Sequence, residues 1–398
     1  MPTATLVKAT HRGTRRSNER LVLRTIYEDG PLSRADVARA TELTRTTVSD
    51  LVEGLLDDGL VAEAGTGPST GGKAPIWLRV PADARQLIGI DVDRDRLSGV
   101  VIDLRGEVYA RETRHIGDHD GATALRELET LVLDLMAAAG RPLVGVGVGT
   151  PGLIDTATGT VRWAVGLDWH DEPVASRLSE VSGLPAVVVN DSQAAAMAEW
   201  AFGRHDTGPS MVVVKVGEGI GAGIVLDGRL YAGEDSGAGE IGHTRINDGD
   251  VVCRCGSSGC LETVASQRAV LARARELAAT RSDWALAGQE VSHRSLLEAF
   301  RAGDPVARQV VLASAPPLGR VIGAMIGTLG ARDIVLVGPM ADFGEPWLAQ
   351  VRAEARRSAL LLLVERSTIH LGRTGDDVVE LGAAAMLMTS ELGLALAT

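Results

Sequence analysis

The chain has 398 residues, 45% of them apolar and only 3% aromatic, enough for more than one core but too few rings for a single-strand nucleic-acid stacking surface. Its formal charge of −12 is unevenly placed: residues 1–80 carry 11 Lys/Arg against 10 Asp/Glu, and the remainder 29 against 42. An acidic body repels polyanions, so any DNA contact belongs to the N-terminal segment, whose first 24 residues hold six basic side chains and one acidic one.

The basic N-terminus has no apolar region of the secretory kind. The longest uninterrupted aliphatic run, Ala359–Val364, is far short of the ~20 residues that span a bilayer. A cytoplasmic chain with no membrane association is expected. Three cysteines in a reducing compartment predict no disulfide framework.

Three short helices are predicted in the first eighty residues. Leu21, Val22, Leu23, Ile26 and Tyr27 give the first an apolar face. Ser33 and Asp36 form a capping-box pattern at the start of the second. Thr44 is a suitable N-cap for the third, in which Val48, Leu51, Val52, Leu55 and Leu56 make one helical stripe and Gly59 is the stop. Two strand-like runs, LVAEA and PIWLRV, flank the turn-rich GTGPSTGGK, whose tip carries Lys73. This is the plan of a winged helix-turn-helix, expected over residues 1–82. Its third helix would offer Arg45, Thr46, Thr47 and Ser49 to the major groove, with Lys73 on the wing. A small helical bundle that contacts protein is the competing reading.

From residue 83 onward strand and helix signals alternate, so the class is α/β. QLIGIDVD, LSGVVIDL and EVYARETRHI form an antiparallel start, and ATALRELETLVLDLMAAAG is an amphipathic helix. PLVGVGVGTPG, PAVVVND and DIVLVGP read as buried strands, and MVVVKVGEGIGAGIVLDGRLYAG as two strands around a glycine-rich turn. Repeated strand units of this kind predict two related lobes with a cleft between them, over residues 83–398. Pro316-Pro317 lies in a long helical stretch, where prolines are expected to break a helix.

Between Gly242 and Glu262 the chain reads GHTRINDGDVVCRCGSSGCLE, with every cysteine of the chain within it. His243, Cys253, Cys255 and Cys260 are a Cys3His set, the composition of a closed structural zinc site, and one Zn2+ per protomer is expected. Gly256 and Gly259 would let the three thiols converge. Three buried cysteines beside an unrelated histidine is the alternative.

Glu240–His243 followed by CRCGSSGCLE resembles the signature of the ROK family of repressors and sugar kinases. GIDVD, GVGVGTPGLID, VVVND and VGEGIGAGIVLDGRLYAG occur in the family's order. The resemblance runs from about residue 85 to the C-terminus and, with the winged helix in front, points to the transcription-factor branch. It implies an actin-like, hexokinase-like pair of lobes. It also implies sugar contacts at Asn190, Asp191, Glu240, His243 and Glu262, with Asp191 standing where the kinases have their general base. His243 would meet a hydroxyl on one side and the metal on the other.

Two of three phosphate-binding motifs depart from the kinase pattern. Asp91-Val92-Asp93-Arg94-Asp95 replaces an aspartate followed by glycines, and Gly338-Pro339 replaces a double glycine. Proline removes a donor and added carboxylates repel triphosphate. Only Gly217–Gly223 is nearly intact, with Glu218 inside it. A sugar sensor without catalytic residues is therefore expected, Asp191 being a vestigial base; an active sugar kinase with a fused DNA-binding domain is the alternative. Gly166-Leu167-Asp168-Trp169 lacks the family's amide, which permits another sugar, such as xylose. The expected partners are a palindromic double-stranded operator, a monosaccharide and a second or further copy in a homodimer or homotetramer.

Overall fold

A computed structural model describes residues 11–67, 74–117, 120–203, 208–247, 249 and 251–395. It opens with α1 (His11–Asp29), α2 (Arg34–Thr41) and α3 (Arg45–Asp57). The Asp36 N–H donates to Ser33 Oγ while Asp36 Oδ2 accepts from the Ser33 N–H at 3.0 Å, completing the capping box of α2. Thr44 Oγ1 accepts from the Thr47 N–H at 3.2 Å and starts α3. The stripe Val48, Leu51, Val52 and Leu55 is buried in one cluster with Val22, Leu23 and Ile26 of α1 and Val37 of α2. β1 (Ala62–Thr66) and β2 (Ile76–Arg79) then pair antiparallel, Glu63 opposite Leu78. Lys73, at the expected wing tip, lies outside the described residues.

The body begins with the meander β3 (Gln86–Val92), β4 (Arg96–Asp103) and β5 (Val108–His115). α4 (Gly121–Ala138) leads to β6 (Leu143–Thr150). A small sheet of β7 (Leu153–Asp155), β8 (Thr160–Ala164) and β9 (Trp169–Glu172) follows, then α5 (Val174–Ser182), β10 (Ala186–Asn190) and α6 (Asp191–Phe202). The first lobe's sheet runs β10-β6-β3-β4-β5, with β6 parallel to both β3 and β10.

The second lobe repeats this plan. β11 (Met211–Val216), β12 (Ile220–Leu226) and β13 (Arg229–Leu230) make the meander, and β14 (Asp333–Val337) and β15 (Thr368–Leu371) extend it in parallel, in the order β13-β12-β11-β14-β15. Its helices are α7 (Glu262–Ala265), α8 (Gln267–Thr280), α9 (His293–Arg301), α10 (Pro305–Leu312), α11 (Ala315–Leu329), α12 (Gly344–Ser358) and α13 (Leu361–Val364). The final helix, α14 (Val378–Leu392), crosses back to pack on β3 and β6. α6 leans the other way, onto β11 and β12, and packs along α14. These two helices tie the lobes together.

Pro316 and Pro317 do interrupt the helical stretch, which divides into α10, ending at Leu312, and α11, starting at Ala315. They occupy the first turn of α11, where an N–H has no intrahelical acceptor and the fixed φ of proline suits the helix. Residues 305–329 form the one described helical stretch apolar and long enough to cross a membrane. It is divided between α10 and α11, its most apolar window is 61% buried, and Leu318, Ile322 and Ile326 belong to the second lobe's core.

The head is bonded to the body at several points. The Tyr27 hydroxyl donates to the Leu104 carbonyl at 2.6 Å, and Arg105 stacks 3.7 Å over the Tyr27 ring while donating to the Tyr27 carbonyl. Arg20 donates to the carbonyls of Ser390 and Glu391 at the end of α14. Arg85 donates to the Asp58 carbonyl at 2.6 Å.

Candidate functional site

The four expected metal ligands converge. The ligand atoms of His243, Cys253, Cys255 and Cys260 all lie within 4.8 Å of one another. Cys253 Sγ stands 3.6 Å from His243 Nδ1, and Cys255 Sγ stands 3.8 Å from Cys260 Sγ. Two thiolates on a tetrahedral ion with ~2.3 Å bonds are about 3.8 Å apart, so the donor set fits a structural metal. Bridges between Arg245 and Cys260 and between Val252 and Ser258, with positive φ at Gly256 and Gly259, fold the loop that gathers them. Burial and the two neighbouring thiols push the Cys260 thiol up to about 12. The Ser257 backbone N–H holds Cys255 down to about 7, chiefly offset by burial. Three thiolates this close repel one another, and a divalent cation among them removes the conflict.

The expected sugar-binding side chains sit beside this cluster. His243 Nε2 faces Glu240 Oε2 at 3.7 Å. Burial raises the Glu240 carboxyl above its ordinary value; His243 opposes this, while Asp191 and Glu262 add to it. Asp191, Glu240 and Glu262 therefore share one electrostatic neighbourhood. Asn190, Asp191 and Glu262 also have structural partners. Asn190 caps α6, its Oδ1 accepting from the N–H groups of Ser192 and Gln193 at 2.9 and 3.4 Å, while its amide donates to the Gly152 carbonyl. Glu262 Oε1 accepts from Arg268 at 2.9 Å and Oε2 from the Ile220 N–H at 3.3 Å. A Cβ on residue 219 would come within 2.7 Å of Glu262 Oε2, so glycine there makes room for this carboxylate.

Asp191 is held by Lys215, whose ammonium donates to Oδ2 at 2.7 Å; Oδ1 accepts from the Ser192 hydroxyl at 3.1 Å. Burial alone would raise this carboxyl, but Lys215 and Ser192 outweigh it and keep the value below the ordinary carboxylate range. Sequence reasoning missed Lys215. The signal was present: one cation in the strand MVVVKV, otherwise apolar and buried, must find a counter-charge.

Where the family resemblance would put phosphate there is a cavity of about 500 Å³ between the lobes, lined by Asp91, Asp93, Lys215, Gly217, Gly338 and Pro339 among others. Asp93 is one of its lining residues. Asp95 is not among its lining residues; its carbonyl accepts from the Ile116 N–H at 2.8 Å at the end of the β4–β5 ladder. Asp91 is pushed well above its ordinary value by burial and then by Glu380, with Lys215 opposing. Glu218, unexplained by sequence, lies 3.8 Å from Arg254, between two of the metal-site cysteines. Trp169 belongs to the first lobe's core, its indole N–H donating to the Gly121 carbonyl at 2.8 Å.

On the head, Arg45, Thr46 and Ser49 are exposed on the first turns of α3 and Thr47 is half-buried. The Thr47 hydroxyl lies 2.8 Å from Thr44 Oγ1, so part of its hydrogen-bonding capacity is used within the cap.

Residues 87–390 match the ROK family and residues 14–67 the MarR family. The chain belongs to the ROK family. It is 31% identical to a xylose repressor of Caldicellulosiruptor bescii over 94% of this chain and 96% of that protein. A ROK family transcriptional regulator, homologous to the MLC protein of Escherichia coli, superposes with a TM-score of 0.85 at 25% identity, over 96% of this chain and 98% of that one. A ROK glucokinase of Streptomyces griseus, solved with glucose and AMPPNP, superposes with a TM-score of 0.68 at 27% identity, over 76% of this chain and 98% of that one. The ROK kinase likeness thus stops short of the full chain, and the likeness to the regulator includes the head.

Proposed function

We propose that this ROK protein is a sugar-responsive transcriptional repressor. Its head binds a palindromic operator through Arg45, Thr46, Thr47 and Ser49, with Lys73 on the wing, as a cytoplasmic homodimer or homotetramer. Its body binds a monosaccharide at Asn190, Asp191, Glu240, His243 and Glu262. The name of its relative, xylose repressor, makes xylose the first sugar to test.

One observation carries this reading. α6 begins at the Asn190-Asp191 pair, and α14 begins beside the cleft, where Val378 and Val379 line the cavity. α14 ends at the head, where the carbonyls of Ser390 and Glu391 accept from Arg20, and α6 is tied to the residues just after α14 by the Trp200 indole, which donates to the Ala395 carbonyl at 2.9 Å. A sugar that changes how the lobes meet moves these paired helices, and with them the head. Sugar and operator then weaken each other's binding by the same factor. Either ligand shifts the balance only by its differential affinity for the two forms.

His243, Cys253, Cys255 and Cys260 would hold one zinc ion. When bound, the ion braces the loop and fixes His243, leaving no open coordination position for catalysis. We assign no phosphoryl transfer to the body. Asp191 is paired with Lys215, Asp93 faces the phosphate cavity, and Pro339 lacks a donor there. A coupled ATP assay with xylose and glucose tests this: sugar-dependent ADP release would establish the kinase reading instead. Titrating the pure protein calorimetrically with monosaccharides, in parallel with operator shift assays, tests the sensor reading.

A further inference from the structure

Lys215 lies where the two halves of the cleft meet. Its ammonium is 2.7 Å from Asp191 Oδ2 on the sugar side, and the residue also lines the cavity that Asp91 and Asp93 line on the other. The lysine side chain is 20% exposed and that of Asp191 17%. β11 carries the lysine, and the start of α6 carries the aspartate, so the pair spans the lobes. Ser192 takes the other oxygen of Asp191. A ring substituent reaching past Asp191 into the cavity would have to displace a paired, largely buried ammonium.

We propose that Lys215 sets the reach of the sugar site, closing its Asp191 end so that the occupant is a neutral aldopyranose with no arm extending toward the cavity. A pentopyranose meets this condition; a hexopyranose with its hydroxymethyl arm directed there does not. The inference rests on Asp191 belonging to the sugar site, as proposed above. A phosphorylated sugar is the other ligand a lysine could take. It is disfavoured because Lys215 is already engaged and the cavity is acidic, with Asp91, Asp93, Glu199, Glu218, Asp342 and Asp376 against Arg96 and Lys215.

The test is calorimetric titration of the full-length protein with D-xylose, D-glucose and glucose 6-phosphate, repeated on Lys215→Ala, Lys215→Met and Asp191→Asn. The wild type is expected to bind xylose about tenfold or more tighter than glucose, and glucose 6-phosphate not at all. Lys215→Ala opens the end of the site and should bring the xylose-to-glucose ratio close to one. Lys215→Met keeps the bulk and should keep the preference. Should the alanine variant fail to fold, as judged by its melting curve, Lys215→Thr is read the same way. A wild type that prefers glucose overturns the proposal, and so does an unchanged ratio in the shortened variant. Tight binding of glucose 6-phosphate overturns it too, making the ammonium an anion receptor. Asp191→Asn separates the two levels: with sugar binding lost in that variant and the ratio unmoved by shortening Lys215, only the role of Lys215 fails. Unchanged xylose binding in Asp191→Asn removes the sugar-site reading itself.

Discussion

His243 faces two ways: its Nδ1 lies 3.6 Å from Cys253 Sγ, and its Nε2 lies 3.7 Å from Glu240 Oε2. One imidazole therefore joins the cysteine loop to the expected sugar contacts. A metal that fixes Nδ1 also fixes where Nε2 points, and a carboxylate facing the far nitrogen stabilises that orientation. Glu218 and Arg254 make a second link between the same loop and the cleft.

Removing one sulfur should therefore reach the sugar. Cys255→Ser is expected to lose the bound metal and to weaken sugar binding by about 10–100-fold, with a lower melting temperature. Elemental analysis of wild type and variant, followed by calorimetry, checks this. Full sugar affinity in a metal-free variant would detach the metal site from the pocket.

The Asp91 carboxyl works against stability at neutral pH. Its pKa in the folded protein is raised, first by burial and then by Glu380. A raised folded value means that its stabilising contribution is fully present below the ordinary carboxylate range and is lost as pH rises through the folded value. Asp91→Asn should accordingly stabilise the protein at pH 7.5, by about 1 kcal/mol, and the gain should shrink as pH falls toward 4. Melting curves of both proteins across that range decide it; a lower melting temperature for the variant at pH 7.5 contradicts the burial argument.

Operator recognition should depend on the exposed start of α3. Arg45→Ala is expected to lower operator affinity by about 1–3 kcal/mol while leaving sugar titrations unchanged. Wild-type affinity in the variant removes Arg45 from the DNA surface.

Arg20 should matter for communication and not for sugar binding. It joins α1 to the end of α14 through the carbonyls of Ser390 and Glu391. Arg20→Ala is expected to leave the sugar affinity of the DNA-free protein in place and to reduce the sugar-induced change in operator affinity by about 0.5–2 kcal/mol. Anisotropy titrations with labelled operator, with and without sugar, measure the difference.

Much of this architecture was legible in the sequence because local rules and tertiary packing agree. Ser33, Asp36 and Thr44 cap the helices that their spacing predicts, and the Val48–Leu55 stripe is the buried face of α3. The cysteine spacing likewise led to four convergent ligands, since two glycines at positive φ serve the loop that joins them. What stayed hidden depends on contacts between distant segments. Asp191 and Lys215 are 24 positions apart and Glu199 is bonded to the backbone of Arg373 and Thr374 across 174 and 175. Pro316-Pro317 divides the helical stretch as the sequence predicts, while its place inside the first turn of α11 depends on where α10 stops. Asp95 follows Asp93 by two positions, yet only Asp93 is among the residues that line the cavity.

The most direct test of the account is the affinity of the full-length protein for its operator, measured by anisotropy at rising D-xylose concentration. The account predicts that saturating sugar weakens operator binding about tenfold or more, and that DNA weakens sugar binding by the same factor. Operator affinity that stays constant while calorimetry shows the sugar bound would contradict it.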